Sequence, residues 1–386
     1  MHNRNLDLSL SATESAFLWG PRQTGKSTLL KARFPNSLRY DLLQSDVFHR
    51  LLSKPSLLRE ECIAALEHAG ESIQPIIIDE VQKIPALLDE VHWLIENKRL
   101  RFILCGSSAR KLKQGQANLL GGRAIRYELH PLTSAEIDHF DLQQALNNGL
   151  LPRHYASQHA PRLMQAYVGD YLKEEIVAEA VTRNIPAFSR FLEVAALCNG
   201  EMINYQNIAT DIGVSAPSVK SYFQILEDTL IGSYVPAFRK QAKRRVILAP
   251  KFYLFDVGIA NYLAKRGKVQ PGSELFGKAF EHFLWMELNA HSHYSEQFYD
   301  ITYWRTTSQI EVDFVIANGT VAIEAKTTTT VQDKHLRGLR AFKEEYPQAK
   351  TVVVSLDAKA RKTHDNIDIL PWQDFLNQLW AGKLVV

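Results

Sequence analysis

Eight residues near the start of the chain, Gly20-Pro21-Arg22-Gln23-Thr24-Gly25-Lys26-Ser27, have the types and spacing of a phosphate-binding loop, G-x-x-x-x-G-K-[ST]. Glycines in such a loop let backbone N–H groups curl around phosphate oxygens. A helix opening at Ser27 would add its own amides to the same anion. Lys26 would contact the β- and γ-phosphates and the Ser27 hydroxyl would ligate Mg2+, so Gly20 through Thr28 is the expected binding stretch for ATP with Mg2+. A second piece follows in Gln74-Pro75-Ile76-Ile77-Ile78-Asp79-Glu80, an apolar run that ends in two carboxylates. Asp79 would hold Mg2+ through water, and Glu80 would polarise the attacking water. A third apolar run, Phe102 to Cys105, leads into Gly106-Ser107-Ser108, where Ser107 or Ser108 would sense the γ-phosphate; a plain Gly-Ser turn is the alternative.

A separate constellation lies near the other end. Glu311-Val-Asp313-Phe-Val-Ile-Ala-Asn318-Gly319-Thr-Val-Ala-Ile-Glu324-Ala-Lys326 reads as a β-hairpin, because Asn-Gly is the strongest short hairpin signal. With Asn318-Gly319 as a two-residue turn, Ala317 pairs with Thr320, Asp313 falls opposite Glu324, and Glu311 falls opposite Lys326. Two carboxylates about 5 Å apart at Cβ repel unless a cation bridges them. Lys326 shares their face by strand alternation, while Val312, Phe314, Ile316 and Ile323 are expected to turn toward the core. Asp313 and Glu324 holding Mg2+, with Lys326 orienting the activated water, is a constellation able to cleave phosphodiesters. A half-exposed hairpin with a surface salt bridge is the plainer alternative.

The elements that must position these groups follow from the pattern of the chain. Of 386 residues, 46% are hydrophobic and 23% charged, enough for two or three globular domains. From Ala16 to about Ile137, β-rich runs alternate with helical stretches, which is α/β order and implies a parallel sheet. Residues 1–140 are read as this first domain. Residues 141–198 are helical by periodicity, a connector or lid, and 199–270 carry a helix-turn-helix pattern. After Gln270-Pro-Gly-Ser273 the chain returns to α/β through 271–386. Cys62, Cys105 and Cys198 are odd in number and in no ligand spacing, which points to a reducing compartment. Without a signal segment or an apolar run near the roughly 20 residues that span a bilayer, a cytoplasmic, non-membrane protein is expected. A net charge of +3 is too small to imply a nucleic-acid partner by itself.

Local charge says more. Ile208, Ile212, Val219, Phe223 and Leu226 sit at bihelical spacing about Gly213-Val-Ser215. Ser215 would cap the second helix, and Ser218, Lys220, Ser221 and Gln224 would face a DNA groove. Arg239-Lys240-Gln-Ala-Lys243-Arg244-Arg245 stands where a wing should be, suited to phosphate contact. DNA is therefore the expected partner, with a protein partner as the alternative, since winged helices also bind proteins.

These motifs together resemble the AAA+-type ATPases of the ASCE division, on the Gly20 to Ser27 loop, the Ile-Asp79-Glu80 strand, Gly106-Ser-Ser108 and Gly121-Gly122-Arg123. More narrowly, the chain resembles a prokaryotic predicted-ATPase family whose C-terminal domain has no assigned activity, through Tyr171, Lys251-Phe-Tyr-Leu-Phe-Asp256-Val-Gly258 and Glu311-Val-Asp313-Phe. That resemblance implies an arginine completing the ATP site, often from a neighbouring subunit of a homo-oligomer, with Arg123 the first candidate and Arg110 the second. The Asp313, Glu324-Ala-Lys326 spacing is similar to the PD-(D/E)XK restriction-endonuclease-like superfamily, with Val-Asp-Phe in place of Pro-Asp. This implies Glu281 as a third carboxylate and the Lys334, His335, Arg337 and Arg340 helix against a phosphate backbone. The expected fold is a parallel-sheet ATPase domain, a helical connector, a winged helix-turn-helix and an α/β endonuclease-like domain. Three functions stay open: an ATPase coupled to a nuclease, an ATP-driven DNA-binding switch, and a signalling ATPase with a protein partner.

Overall fold

The computed structural model describes residues 2–108, 120–172, 184–240 and 244–385, of which 170–172 are described in backbone only. The chain forms two compact units: Arg4–His130 with Asp228–Leu230, and Pro131–Glu227 with Ile231–Val386 and the first residues. The connector, the helix-turn-helix and the C-terminal block, three regions by sequence, thus cohere in one unit. No described helix is long and apolar enough to cross a membrane.

In the first unit, strands β1 (Ser15–Trp19), β2 (Arg39–Asp41), β3 (Ile76–Asp79), β4 (Phe102–Gly106) and β5 (Ala124–Glu128) form one parallel sheet in the order β2-β3-β4-β1-β5. The apolar runs of the inner strands β1, β3 and β4 are continuous rather than alternating because helices cover both faces, whereas the edge strands β2 and β5 carry charged residues. Phe17, Trp19, Ile76, Ile78, Phe102 and Leu104 supply one buried side, and Ala16, Leu18, Ile77 and Ile103 are buried as well. Trp19 lies beside Gly106, and Asp79 beside Cys105, so β1, β3 and β4 end together on one edge. That shared edge is where a parallel α/β sheet binds ligands.

The second unit has a mixed six-stranded sheet of β8 (Ile301–Arg305), β9 (Glu311–Ile316), β10 (Val321–Lys326), β11 (Lys350–Ser355), β12 (Arg361–Lys362) and β13 (Ile367–Pro371), in the order β12-β13-β11-β10-β9-β8. The Asn318-Gly319 turn forms as its chemistry requires. Asn318 and Gly319 take φ of 56° and 91°, and Thr320 N–H donates to the Ala317 carbonyl. Ile316 pairs with Val321 and Phe314 with Ile323, so Asp313 and Glu324 are the next residues outward. One expectation needs correction. The hairpin is not half-exposed: Phe314, Ile316 and Ile323 pack with the helix Glu274–Tyr294, and Val312 instead joins Val315 and Ala322 in a second core with Leu339 and Phe342 of the helix Arg337–Glu345. Parallel pairing of β10 with β11, and of β11 with β13, needs both faces covered. Ser273, last residue of the Gln270-Pro-Gly-Ser273 segment, caps the long helix by accepting the Phe276 amide.

Helices Ile185–Leu197, Tyr205–Ile212 and Ala216–Asp228 and the hairpin β6 (Gly232–Val235) with β7 (Lys251–Leu254) share another core. Gly213 takes the left-handed turn at φ 72° and Ser215 accepts the Ser218 amide, as the spacing predicts. Of the basic stretch, Arg239, Lys240 and Arg245 are exposed and residues 241–243 lie outside the described residues. Its flanks pair with edge strand β8: Phe238 donates to Tyr303, Ile247 to Arg305, and Thr307 to Arg245. An unpaired strand edge invites such cover. Arg244 reaches Glu344, Glu345 at 3.2 Å and the Ala341 carbonyl at 2.7 Å, and is therefore spent on the protein itself. Lys243 lies outside the described residues.

Candidate functional site

The first candidate site assembles at the shared edge of β1, β3 and β4. Gly20 passes so close to Leu129 that a Cβ would sit 2.4 Å from its carbonyl oxygen, which fixes glycine there. Gln23 and Gly25 take left-handed φ of 62° and 96°, curling the loop, and the helix Lys26–Arg33 begins at Gly25 with no side-chain cap on its first amides. Such amides suit an anion. The Lys26 ammonium, 6% exposed, donates to the Gly20 and Pro21 carbonyls at 2.7 and 2.9 Å, and Thr24 donates to Pro21. Ser27 Oγ meets Asp79 Oδ2 at 2.5 Å, so the two Mg2+ candidates converge from the start of a helix and the end of a strand. Pro21, Arg22, Gln23, Thr24 and Thr28 lie in the same loop and helix start.

Glu80 is 8% exposed and left-handed, at φ 59° and ψ 41°, a strained state for a non-glycine residue of the kind found at functional positions. Two residues that hold this site were missed by sequence reasoning. Gln82 Nε2 bridges Glu80 Oε2 at 2.6 Å and Ser107 Oγ at 3.1 Å, in room left by Gly106, where a Cβ would lie 2.3 Å from Gln82 Oε1. Ser107 is thus joined to Glu80 through Gln82, whereas the Ser108 hydroxyl turns to the Asp228 carbonyl. Arg4, buried, donates to the Thr24 and His130 carbonyls at 2.7 and 2.6 Å and so ties the loop to the end of the unit. Nothing local in the sequence links positions 4, 24 and 130. Arg123 does not reach the loop of its own chain: it precedes β5, whose first residue Ala124 pairs with Ser15, and its guanidinium meets Glu96. It stands at the opposite edge of the sheet from the loop, roughly 15 Å along a five-residue strand. Arg110 lies outside the described residues.

The second candidate site sits on the hairpin. Asp313 and Glu324, 8% and 7% exposed, each lie one residue beyond the last paired residues, Phe314 and Ile323, and Lys326 Nζ is 2.6 Å from Glu324 Oε1 and 3.9 Å from Asp313 Oδ2. Asp313 Oδ2 also accepts the Ala325 amide. Burial raises both carboxyls above their ordinary range, and for Glu324 the neighbouring Asp313 adds to the rise. Burial works against the Lys326 charge, yet Asp313 and Glu324 hold its pKa above normal. Glu324 Oε2 is buried and has no hydrogen-bond partner. Gly338 admits this crowding, since a Cβ there would lie 2.0 Å from the Glu311 carbonyl and 3.5 Å from Glu324 Oε2. Two buried acids, raised in pKa and with an orphaned oxygen, fit a hard divalent cation such as Mg2+.

Glu281, carried on the long helix, is near enough for its charge to act on Asp313, but its oxygens do not close up with those of Asp313 and Glu324 into one group of ligand atoms. It accepts from Tyr253 Oη at 2.5 Å and Lys251 Nζ at 3.2 Å, both on β7. Lys251 and Tyr253 were not foreseen as site residues; only their alternation with Phe252 and Leu254, which pack into the helix-turn-helix core, hinted at a strand with two occupied faces. Asp256 is structural. It caps the helix Val257–Leu263 through the Ile259 amide, accepts the Leu150 amide at 2.7 Å, and is pushed up to about 6 by burial. The basic helix is only partly available: Arg340 is paired with Asp333 and Asp365 and His335 accepts the Gln332 amide, while Lys334 and Arg337 are exposed.

Comparison with known proteins agrees with the first site. Residues 12–138 match a family described as an AAA domain. Residues 139–270 and 276–375 match two families, DUF8612 and DUF4143, each described as a domain of unknown function. No curated relative matches the chain. A solved signal transduction ATPase with numerous domains and a tetratricopeptide repeat sensor, from Pyrococcus horikoshii, is similar at 13% identity and a TM-score of 0.22. The similarity covers 75% of this chain and 45% of that one. The AAA-domain match spans most of the first unit and supports a P-loop ATPase domain there.

Proposed function

We propose that this chain is an ATP-hydrolysing, DNA-acting protein whose second unit is a divalent-metal-dependent phosphodiesterase of the PD-(D/E)XK kind. In the AAA-type domain, Lys26 and the loop amides bind the phosphates, Ser27 and Asp79 hold Mg2+, and Glu80 orients the attacking water while Gln82 fixes Glu80 against Ser107. In the second unit, Asp313 and Glu324 would hold Mg2+, which supplies an activated water when bound. Lys326 is placed to orient that water and to stabilise the charge that develops on phosphate. The observation carrying this reading is the pairing of buried Asp313 with buried Glu324, whose Oε2 has no partner, beside the Lys326 ammonium. DNA would be met by the exposed Lys220, Ser221 and Gln224.

The test is incubation of the full chain with supercoiled plasmid and single-stranded DNA, with Mg2+ or Mn2+, with and without ATP. Metal-dependent cleavage by the wild type that is lost in Asp313→Asn and in Lys326→Ala supports the reading. Cleavage surviving in Asp313→Asn removes this site from the reaction. One observation favours a second reading, an ATP-driven switch with an inert nuclease-like domain: Lys251 and Lys326 already neutralise acids of the cluster. No cleavage by any form, with ATP turnover stimulated by DNA, would decide for the switch.

A further inference from the structure

We propose that Arg4 is a positioning residue for the nucleotide, its guanidinium turning the Gly25 amide of the phosphate-binding loop toward the phosphates. This rests on the ATP site described above. Arg4 is 8% exposed and donates through Nη1 to the Thr24 carbonyl at 2.7 Å and through Nη2 to the His130 carbonyl at 2.6 Å. The Thr24 carbonyl and the Gly25 N–H belong to one planar trans peptide and point in opposite directions. A guanidinium that holds the carbonyl therefore sets the aim of the amide. That amide has no acceptor among the described residues, and it directly precedes the uncapped first turn of the helix Lys26–Arg33. It is one of the donors that an anion in this loop takes up.

The far end of the fork is anchored in the sheet. Leu129, the residue before His130, donates its amide to the Trp19 carbonyl at 2.7 Å, and Gly20 lies against the Leu129 carbonyl. Leu6 and Leu8 are buried and hold the segment that carries Arg4. The loop needs such a brace. Glycine at position 25 leaves the preceding peptide free to rotate, and the Thr24 hydroxyl, bound to the Pro21 carbonyl at 2.9 Å, fixes the side chain rather than that peptide. Arg4 supplies the restraint with two donors in one rigid plane, a geometry that a lysine ammonium does not reproduce.

Calorimetric titration of the full chain with a non-hydrolysable ATP analogue and Mg2+, together with steady-state phosphate release, tests the brace. An amide that binds phosphate in ground and transition states alike changes affinity and not the chemical step. Arg4→Met is expected to weaken analogue binding about 10-fold, as for one lost hydrogen bond to a charged group, with kcat at saturating ATP changed less than about twofold. Arg4→Lys keeps the charge but loses the fork, so a similar loss is expected; this variant carries the test if Arg4→Met does not fold. Wild-type affinity in Arg4→Lys would mean that charge alone acts and would overturn the proposal. So would a lower melting temperature with unchanged affinity in either variant, the mark of a merely structural role, or a fall in kcat at unchanged affinity. A wild-type chain that binds no analogue, or binds it as tightly after Lys26→Ala, would overturn the ATP site and the brace together.

Discussion

Replacing Gln82 by Leu is expected to slow ATP hydrolysis without loosening ATP. Gln82 is buried and touches Glu80 and Ser107, but neither Lys26 nor Ser27. Its 2.6 Å bond to the Glu80 carboxylate is of the charged-acceptor type, contributing about 1.5–3 kcal/mol. Glu80 needs that restraint, because its left-handed backbone is strained and its side chain would otherwise relax with the turn. If the bond serves to hold Glu80 on the attacking water, its loss appears in the transition state alone, and 1.4 kcal/mol per factor of ten gives a fall in kcat of about 10- to 150-fold. Steady-state phosphate release gives kcat, and calorimetric titration with a non-hydrolysable ATP analogue gives affinity, expected to change less than about twofold. Unchanged kcat in a folded Gln82→Leu protein would refute the restraint. Higher kcat would mean that Gln82 holds Glu80 away from the water.

Three further outcomes are expected. Lys26→Ala abolishes tight ATP binding whereas Glu80→Gln keeps it and stops turnover, since the ammonium serves both ground and transition states and the carboxylate serves only the water; wild-type turnover in Glu80→Gln would exclude that residue. Arg244→Ala leaves the salt dependence of DNA binding unchanged because its guanidinium is committed to Ala341, Glu344 and Glu345, while Lys220→Ala lowers the log–log slope by about 0.9 if it meets a phosphate of duplex DNA; the reverse pattern in filter-binding titrations would return the contact surface to the basic segment. Glu287 is buried among Ser134 and Trp380 donors and is pushed up to about 7 by that burial, so the folded state holds its proton more tightly than the unfolded state does. Stability from this group is therefore full below about pH 4.5 and lost as pH rises to 7, by roughly 3 kcal/mol. Denaturant unfolding should show Glu287→Gln as relatively less destabilised at pH 8 than at pH 5, and a cost that grows with pH would contradict the assignment.

The sequence by itself determined whatever depends on neighbours along the chain. The loop from Gly20 to Ser27 is legible because backbone curvature, helix start and lysine reach are all local. The inner strands β1, β3 and β4 of the first sheet are legible because a sheet buried on both faces needs continuous apolar runs. The nearness of Asp313 and Glu324 is legible because Asn318-Gly319 fixes the register of the two strands it joins, and a register of period two carries outward.

Only the tertiary structure decided what joins residues remote in sequence. Gln82 as the bridge from Glu80 to Ser107, Arg4 as the tie from Thr24 to His130, and Lys251 with Tyr253 on Glu281 leave no local signature, since each depends on which strands become neighbours. The same limit governs two charged residues. Arg123 has the right type for a phosphate site but precedes its strand, and a parallel sheet sends the start and end of a strand to opposite edges, so it does not serve the loop of its own chain. Arg244 has the type for a phosphate contact, yet the carboxylates Glu344 and Glu345 and the Ala341 carbonyl take its guanidinium.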